Sequence, residues 1–173
     1  MTARPTLQGT RVLLRPLVPG DLPALEAIRA EPSVLEWWGE IQSADFEHPE
    51  SGVIFTIELS GRVAGLIQYD EIPEPQYHSA GIDLFLGAHW QGRGLGREAI
   101  ALVVDHLIDA RGHHRLTIDP AVANERAIRC YESVGFKPVG VMREYERGLD
   151  GSWHDGLLME LLSSERAGRR ARA

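Results

Sequence analysis

The sequence predicts an α/β (α+β) domain: a mixed, mostly antiparallel central sheet of about seven strands, splayed at a central parallel pair, with helices on both faces. Three observations predict it. Val53, Phe55, Ile57 and Leu59 alternate with smaller or polar residues, the period of a half-buried strand, and Ser60-Gly61 turns the chain into a second one. A helical i, i+3, i+4, i+7 pattern lies between a strand ending at Leu86 and a short strand at Leu116–Ile118, and a helical crossover of this kind joins parallel neighbours. The chain closes on two apolar runs joined through Asp150-Gly151, which read as an antiparallel hairpin.

Taken in order, Arg11–Arg15 (RVLLR) reads as a first strand, and Pro19-Gly20-Asp21 supplies a turn, with Asp21 as N-cap for a helix from about Leu22 to Ala30 that Pro32 ends. Val53, Phe55, Ile57 and Leu59 mark a half-buried strand. Ser60-Gly61 turns it back into Arg62–Tyr69, and the proline-rich Ile72–Gln76 is a loop before Ser79–Leu86. Ile100, Val103, Val104 and Leu107 form the apolar stripe of one long helix, with Gly112 at its C-cap. Leu116–Ile118 follows, then a helix over Asn124–Val134 with Asn124 as N-cap and Gly135 as terminator. Strands at about Val139–Tyr145 and Trp153–Leu162 complete the order β-α-(α)-β-β-β-α-β-α-β-β. No repeat or linker interrupts residues 1–162, which read as one domain, and residues 163–173 read as a flexible basic tail.

The chain has 173 residues, 43% hydrophobic and 25% charged, enough to bury a core without a disulfide or metal staple. Its single cysteine forms no internal disulfide framework and points to a reducing, cytoplasmic setting. Neither a leader-type apolar segment nor a bilayer-spanning run occurs, so no membrane partner is expected. The net charge is −7, and because the tail carries four arginines against Glu165, residues 1–162 hold −10. That balance disfavours nucleic acid and suits a cationic small molecule, or it serves solubility alone. The seven histidines show no ligand spacing, so no metal is expected.

The stretch Gln91-Gly92-Arg93-Gly94-Leu95-Gly96-Arg97 packs three glycines just before the long amphipathic helix. Bare backbone followed by unpaired helix N–H groups makes a phosphate cradle, unless it serves only as a tight strand-to-helix connection. Gly94 to Ala99 matches a dinucleotide pattern, but seven residues, Gly87–Arg93, separate it from its strand. A P-loop fails because Arg97 stands where that motif needs lysine.

Gln91 to Gly96 resembles the Q/R-x-x-G-x-G/A signature of the GNAT family of N-acetyltransferases. Asn124 to Phe136 is similar to that family's N-x-x-A-x-x-x-Y-x-x-x-G-F helix, and the element order from Arg11 to Leu162 is also the family's. The resemblance implies the GNAT fold and acetyl-coenzyme A (acetyl-CoA) as cosubstrate. It implies that Gln91, Gly92, Arg93, Gly94, Leu95, Gly96 and Arg97 grip the diphosphate, and that Asn124 and Ala127 touch the same cosubstrate. It also implies that the amides of Leu84, Phe85 and Leu86 hold the pantetheine and thioester oxygen, and that Tyr131 protonates the departing thiolate. Without it, Leu84–Leu86 read as core strand and Tyr131 as amphipathic packing. Cys130 faces elsewhere on the helix and reads as a packing residue.

Gly81-Ile82-Asp83, Thr117-Ile118-Asp119-Pro120 and Trp37-Trp38-Gly39 resemble aminoglycoside N-acetyltransferases that modify the 6′-amine. On that resemblance Asp83 is the base or amine anchor, Asp119 contacts the acceptor, and Trp37 and Trp38 line its site. Read alone, Asp119 forms an Asp-Pro turn and the tryptophans cap a core. Asp83 is a carboxylate in an apolar strand, which costs free energy unless used. The closing hairpin looks more like acetyltransferases of protein N-termini or small amines. The expectation is therefore an N-acetyltransferase for a cationic amine, foremost an aminoglycoside, with a protein N-terminus, polyamine or siderophore amine as rival acceptors and an acyl-CoA sensor as the non-catalytic rival. A monomer or homodimer is expected.

Overall fold

The computed structural model describes residues 4–42, 46–47 and 50–170. One eight-stranded sheet runs through it in the order β1-β2-β3-β4-β5-β6-β8-β7. The strands are β1 (Leu7–Gln8), β2 (Leu13–Pro16), β3 (Gly52–Leu59), β4 (Arg62–Ile72), β5 (Ser79–Leu86), β6 (Arg115–Ile118), β7 (Lys137–Arg147) and β8 (Trp153–Leu162). The strand beyond the expected seven is β1, whose Leu7 and Gln8 pair with Leu14 and Leu13. Two residues are too short for alternation to show.

Helix α1 spans Leu22–Arg29, α2 Pro32–Trp38, α3 Leu95–Asp105, α4 Glu125–Val134 and α5 Ser163–Arg170. Pro32 opens α2 rather than only ending α1, because a proline at the first helical position gives up an N–H that would be unpaired anyway. Asp21 does not cap α1. Its carboxylate accepts both terminal nitrogens of Arg15 (2.7 and 2.8 Å), the Thr56 hydroxyl (2.7 Å) and the Val18 N–H (3.1 Å). The long helix ends α3 in a π-helical segment, His106–Ala110, before Gly112 reverses the chain at φ +75°. The tail is not wholly loose. Its start is α5, where Arg166 pairs with Asp105 and Asp109.

Alternation along the strands feeds two cores. On one face, Val12, Leu14, Phe55 and Ile57 meet Leu95, Ala99, Ile100, Val103 and Val104 of α3 and Tyr131 of α4. On the other, Ile54, Leu66 and Phe85 meet Leu25 and Ile28 of α1 and Val34 of α2. Each fully buried aliphatic side chain contributes about 1.5–3 kcal/mol, so α3, with four buried aliphatic residues besides Ala99, is the main anchor of its face.

The site is positioned by an incomplete join. Among the described residues β5 and β6 are the one parallel pair, and they are paired at only two positions, Ala80 with Leu116 and Gly81 with Thr117. Beyond Gly81 the strands part, and β5 runs on to Leu86 paired only with β4.

Candidate active site

The parting strands open into a cleft of about 710 Å³, walled by β5, the glycine loop, α2, α4 and the closing hairpin. Every residue expected in the site lines it except Arg93.

Side chains and main chain of β5 alternate into this gap. The carbonyl of Phe85 is turned to β4, where a Cβ added at Gly65 would stand 2.1 Å from it, and the Gly87 N–H also donates to β4, at Ala64. By strand alternation, Leu84 and Leu86 turn their peptide groups to the gap. Leu86 confirms the direction, since its carbonyl accepts Nε2 of Gln91 at 2.7 Å. Of the three amides expected to face the cosubstrate, that of Phe85 therefore belongs to the sheet, and its ring packs below Trp38.

The glycine loop closes one end. Gly92 and Gly94 sit at φ +72° and +76°, where a side chain is strained, and an added Cβ at Gly92 would meet nothing within 4 Å. Leu95, Gly96 and Arg97 form the first turn of α3, so their N–H groups lack a carbonyl one turn back. Arg97, Arg126 and Arg129 line the same cleft. Open backbone donors, a helix start and three guanidinium groups fit a diphosphate. Gln91 braces the loop, its Oε1 accepting from Arg126 at 2.5 Å. Arg93 turns away: its guanidinium lies 5.8 Å over Trp90, and its carbonyl accepts Nη1 of Arg11 at 2.8 Å.

Asn124 caps α4 by accepting the Ala127 N–H at 3.2 Å, which sets the helix start facing the loop. Two turns on, Tyr131 is buried with 8% exposure and still reaches the cleft wall. Burial raises its phenol above the usual tyrosine range, and the neighbouring Asp83 adds to the effect, so it holds its proton at neutral pH. Asp83 meets the water of the open cleft, yet desolvation by the walls pushes its carboxyl up to about 6. Repulsion from Asp119 and Asp70 adds to this, against a hydrogen bond from Gln68. Trp37 and Trp38 both line the cleft, and Trp38 also packs edge-on to Phe85 with ring centroids 5.0 Å apart, so it serves core and cleft together.

Three features escaped the sequence reading. Cys130 does line the cleft, and an added Cβ at Gly96 would meet its Sγ at 3.8 Å, because α4 lies against the start of α3. Desolvation raises its thiol, so it remains a packing residue. Tyr145 and Glu146 of β7 also reach the cleft, and the Tyr145 hydroxyl donates to Oδ2 of Asp119 at 2.5 Å. Among the described residues, no three His, Cys, Asp or Glu side chains gather as a metal site.

The comparisons agree with this geometry. The family model "Acetyltransferase (GNAT) family" matches residues 20–136. Spermidine N(1)-acetyltransferase of Escherichia coli (strain K12) is 27% identical over 158 residues, 86% of this chain and 84% of that protein. Aminoglycoside N(6′)-acetyltransferase type 1 of Klebsiella pneumoniae is 28% identical over 161 residues, 79% of each chain. Among solved structures, Mycobacterium smegmatis RimJ in complex with CoA-disulfide superposes with a TM-score of 0.81 at 25% identity, covering 93% of this chain and 88% of that one. Spermidine N-acetyltransferase from Vibrio cholerae, in complex with CoA and spermine, shares the fold with a TM-score of 0.79 at 24% identity, covering 91% of this chain and 99% of that one. With the match spanning more than half of the chain and the splayed sheet and glycine loop in place, the protein belongs to the GNAT family and is an acetyl-CoA-dependent acetyltransferase.

Proposed function

We propose that the protein acetylates a primary amine of a polycationic small molecule by direct attack in a ternary complex, and that the 6′-amine of an aminoglycoside is the preferred acceptor. The observation that carries this reading is the placing of Asp83 and Asp119 in the same cleft as the free edge of β5 and Tyr131. Bound acetyl-CoA supplies an activated thioester carbonyl. The chain's part is to orient and to move protons. The Leu84 and Leu86 peptide groups direct the carbonyl, and Asp83 takes one proton of the incoming ammonium, directly or through one water. As the freed amine bonds to the carbonyl carbon and the carbon–sulfur bond breaks, Tyr131 gives its phenolic proton to the departing sulfur and is restored by the second proton that the nitrogen sheds. Asp119 and the tryptophans hold the rest of the acceptor.

A polyamine acceptor is the second reading, supported by the 27% identity to the Escherichia coli spermidine enzyme. Thiol release from acetyl-CoA, measured with kanamycin, spermidine and a peptide amine, tests both. The expected result is turnover with kanamycin exceeding that with spermidine, and with the peptide amine silent. The reverse order moves the acceptor to polyamines. Tight acyl-CoA binding by calorimetry without turnover on any amine overturns the catalytic reading in favour of a sensor.

A further inference from the structure

β7 reaches the cleft only through an irregularity. Met142 pairs with Gly156 and Glu146 with His154, so Arg143, Glu144 and Tyr145 all stand opposite the single Asp155. Glu144 takes a left-handed conformation at φ +49°, and its N–H donates to Oδ1 of Asp155 at 2.8 Å. A bulge of this kind re-aims the next side chain. That side chain is Tyr145. Its ring crosses Gly156 so closely that a Cβ there would stand 2.7 Å from Cδ1, and its hydroxyl ends on Asp119. The partner side is fixed as well, because the segment after Asp119 is tied to β8 by Leu157 N–H to Pro120 and Val122 N–H to Asp155, both to carbonyl oxygens.

We infer that Tyr145 is a positioning residue for the acceptor: its phenol occupies Oδ2 of Asp119 and leaves Oδ1 turned to the cleft as the anchor for an ammonium group of the incoming amine. The two aspartates then divide the work. Asp119, held by a phenol that keeps its proton because this bond pushes it up to about 12, stays an anchor. Asp83, with no such donor from the hairpin, is free to exchange a proton. Glu146, the next residue, lines the same wall and adds negative charge where a second ammonium would lie. The inference rests on the reading of Asp83 and Asp119 as the acceptor side.

Steady-state kinetics on four proteins test it: wild type, Tyr145→Phe, Asp119→Asn and the double variant, with kanamycin or spermidine as acceptor, whichever the wild type turns over. Loss of a hydrogen bond to a charged group predicts an acceptor KM raised about tenfold in Tyr145→Phe, with kcat and the acetyl-CoA KM within about twofold. The double variant is expected to match Asp119→Asn alone, as for two residues acting through one contact. Gly156→Ala, which displaces the ring but keeps the phenol, is expected to raise the same KM. An unchanged acceptor KM in Tyr145→Phe, or additive effects in the double variant, overturns the inference while leaving the acetyltransfer reading intact. Absence of thiol release by the wild type with every amine overturns that reading instead, and this inference with it.

Discussion

Arg11 and Glu98, 87 residues apart in the chain, are joined by two hydrogen bonds: the Glu98 carboxylate accepts the Arg11 main-chain N–H at 2.7 Å and its Nε at 2.9 Å. A second end of the same guanidinium holds the Arg93 carbonyl. Glu98 lies in the first turn of α3, so the turn between β1 and β2 braces the glycine loop from behind. Arg11→Ala is therefore expected to raise the acetyl-CoA KM about three- to tenfold, a part of the worth of charged hydrogen bonds, with the amine KM unchanged. Initial-rate measurements at varied acetyl-CoA check it.

Asp83, raised to about 6, carries a pH dependence of both rate and stability. As a base it is disabled when protonated, so kcat/KM for the amine is expected to fall below about pH 6, and Asp83→Asn to remove that limb along with most of the turnover. Stability runs the other way. The folded state binds this proton more tightly than the unfolded state at 3.8, so the carboxylate's cost is absent below about 3.8 and complete above about 6. Asp83→Asn is thus expected to melt higher than wild type at pH 7.5 and level with it near pH 3.5, by thermal denaturation followed with circular dichroism.

Tyr131→Phe keeps the ring in its slot and removes the hydroxyl that carries the proton. General acid catalysis of this type is worth about 100-fold or more, so kcat is expected to fall by about that factor with both KM values preserved. A kcat within twofold of wild type in thiol-release assays removes Tyr131 from the role of acid.

Asp21 is 4% exposed, and the Arg15 guanidinium holds its carboxyl down at about 2. Depression from 3.8 contributes about 2 kcal/mol of stability, present above pH 3.8 and lost as pH falls toward about 2. Asp21→Asn leaves Arg15 facing Glu58 alone and is expected to cost about 3 kcal/mol at pH 7 in urea unfolding, with the difference narrowing in acid.

Most of the architecture was legible because period is a property of sequence: β5 and β8 follow their apolar runs at both ends, and Asn124 and Gly135 bracket α4. What alternation cannot see is an insertion. The bulge that brings Tyr145 to Asp119 sets three residues of β7 against one of β8, and nothing in Arg143-Glu144-Tyr145 announces it. Asp21 was misplaced for a related reason. A short acid after Pro-Gly has the chemistry of a cap, and only the tertiary arrival of Arg15 and Thr56 draws it inward. Arg93 fell within a glycine pattern that specifies backbone, so its side chain was free to stack on Trp90. Within the candidate site the main-chain parts were the most legible, and the hairpin wall the least.

The cleft is thus built from two materials. One end is set chiefly by peptide groups on β5 and at the start of α3, joined by the guanidinium groups of Arg97, Arg126 and Arg129. The other consists of side chains on α2, β5, the segment after β6 and β7, each replaceable by a single codon. A library that varies positions 37, 119, 145 and 146, all on the side-chain wall, is therefore expected to change which amine is accepted while acetyl-CoA stays the acyl source.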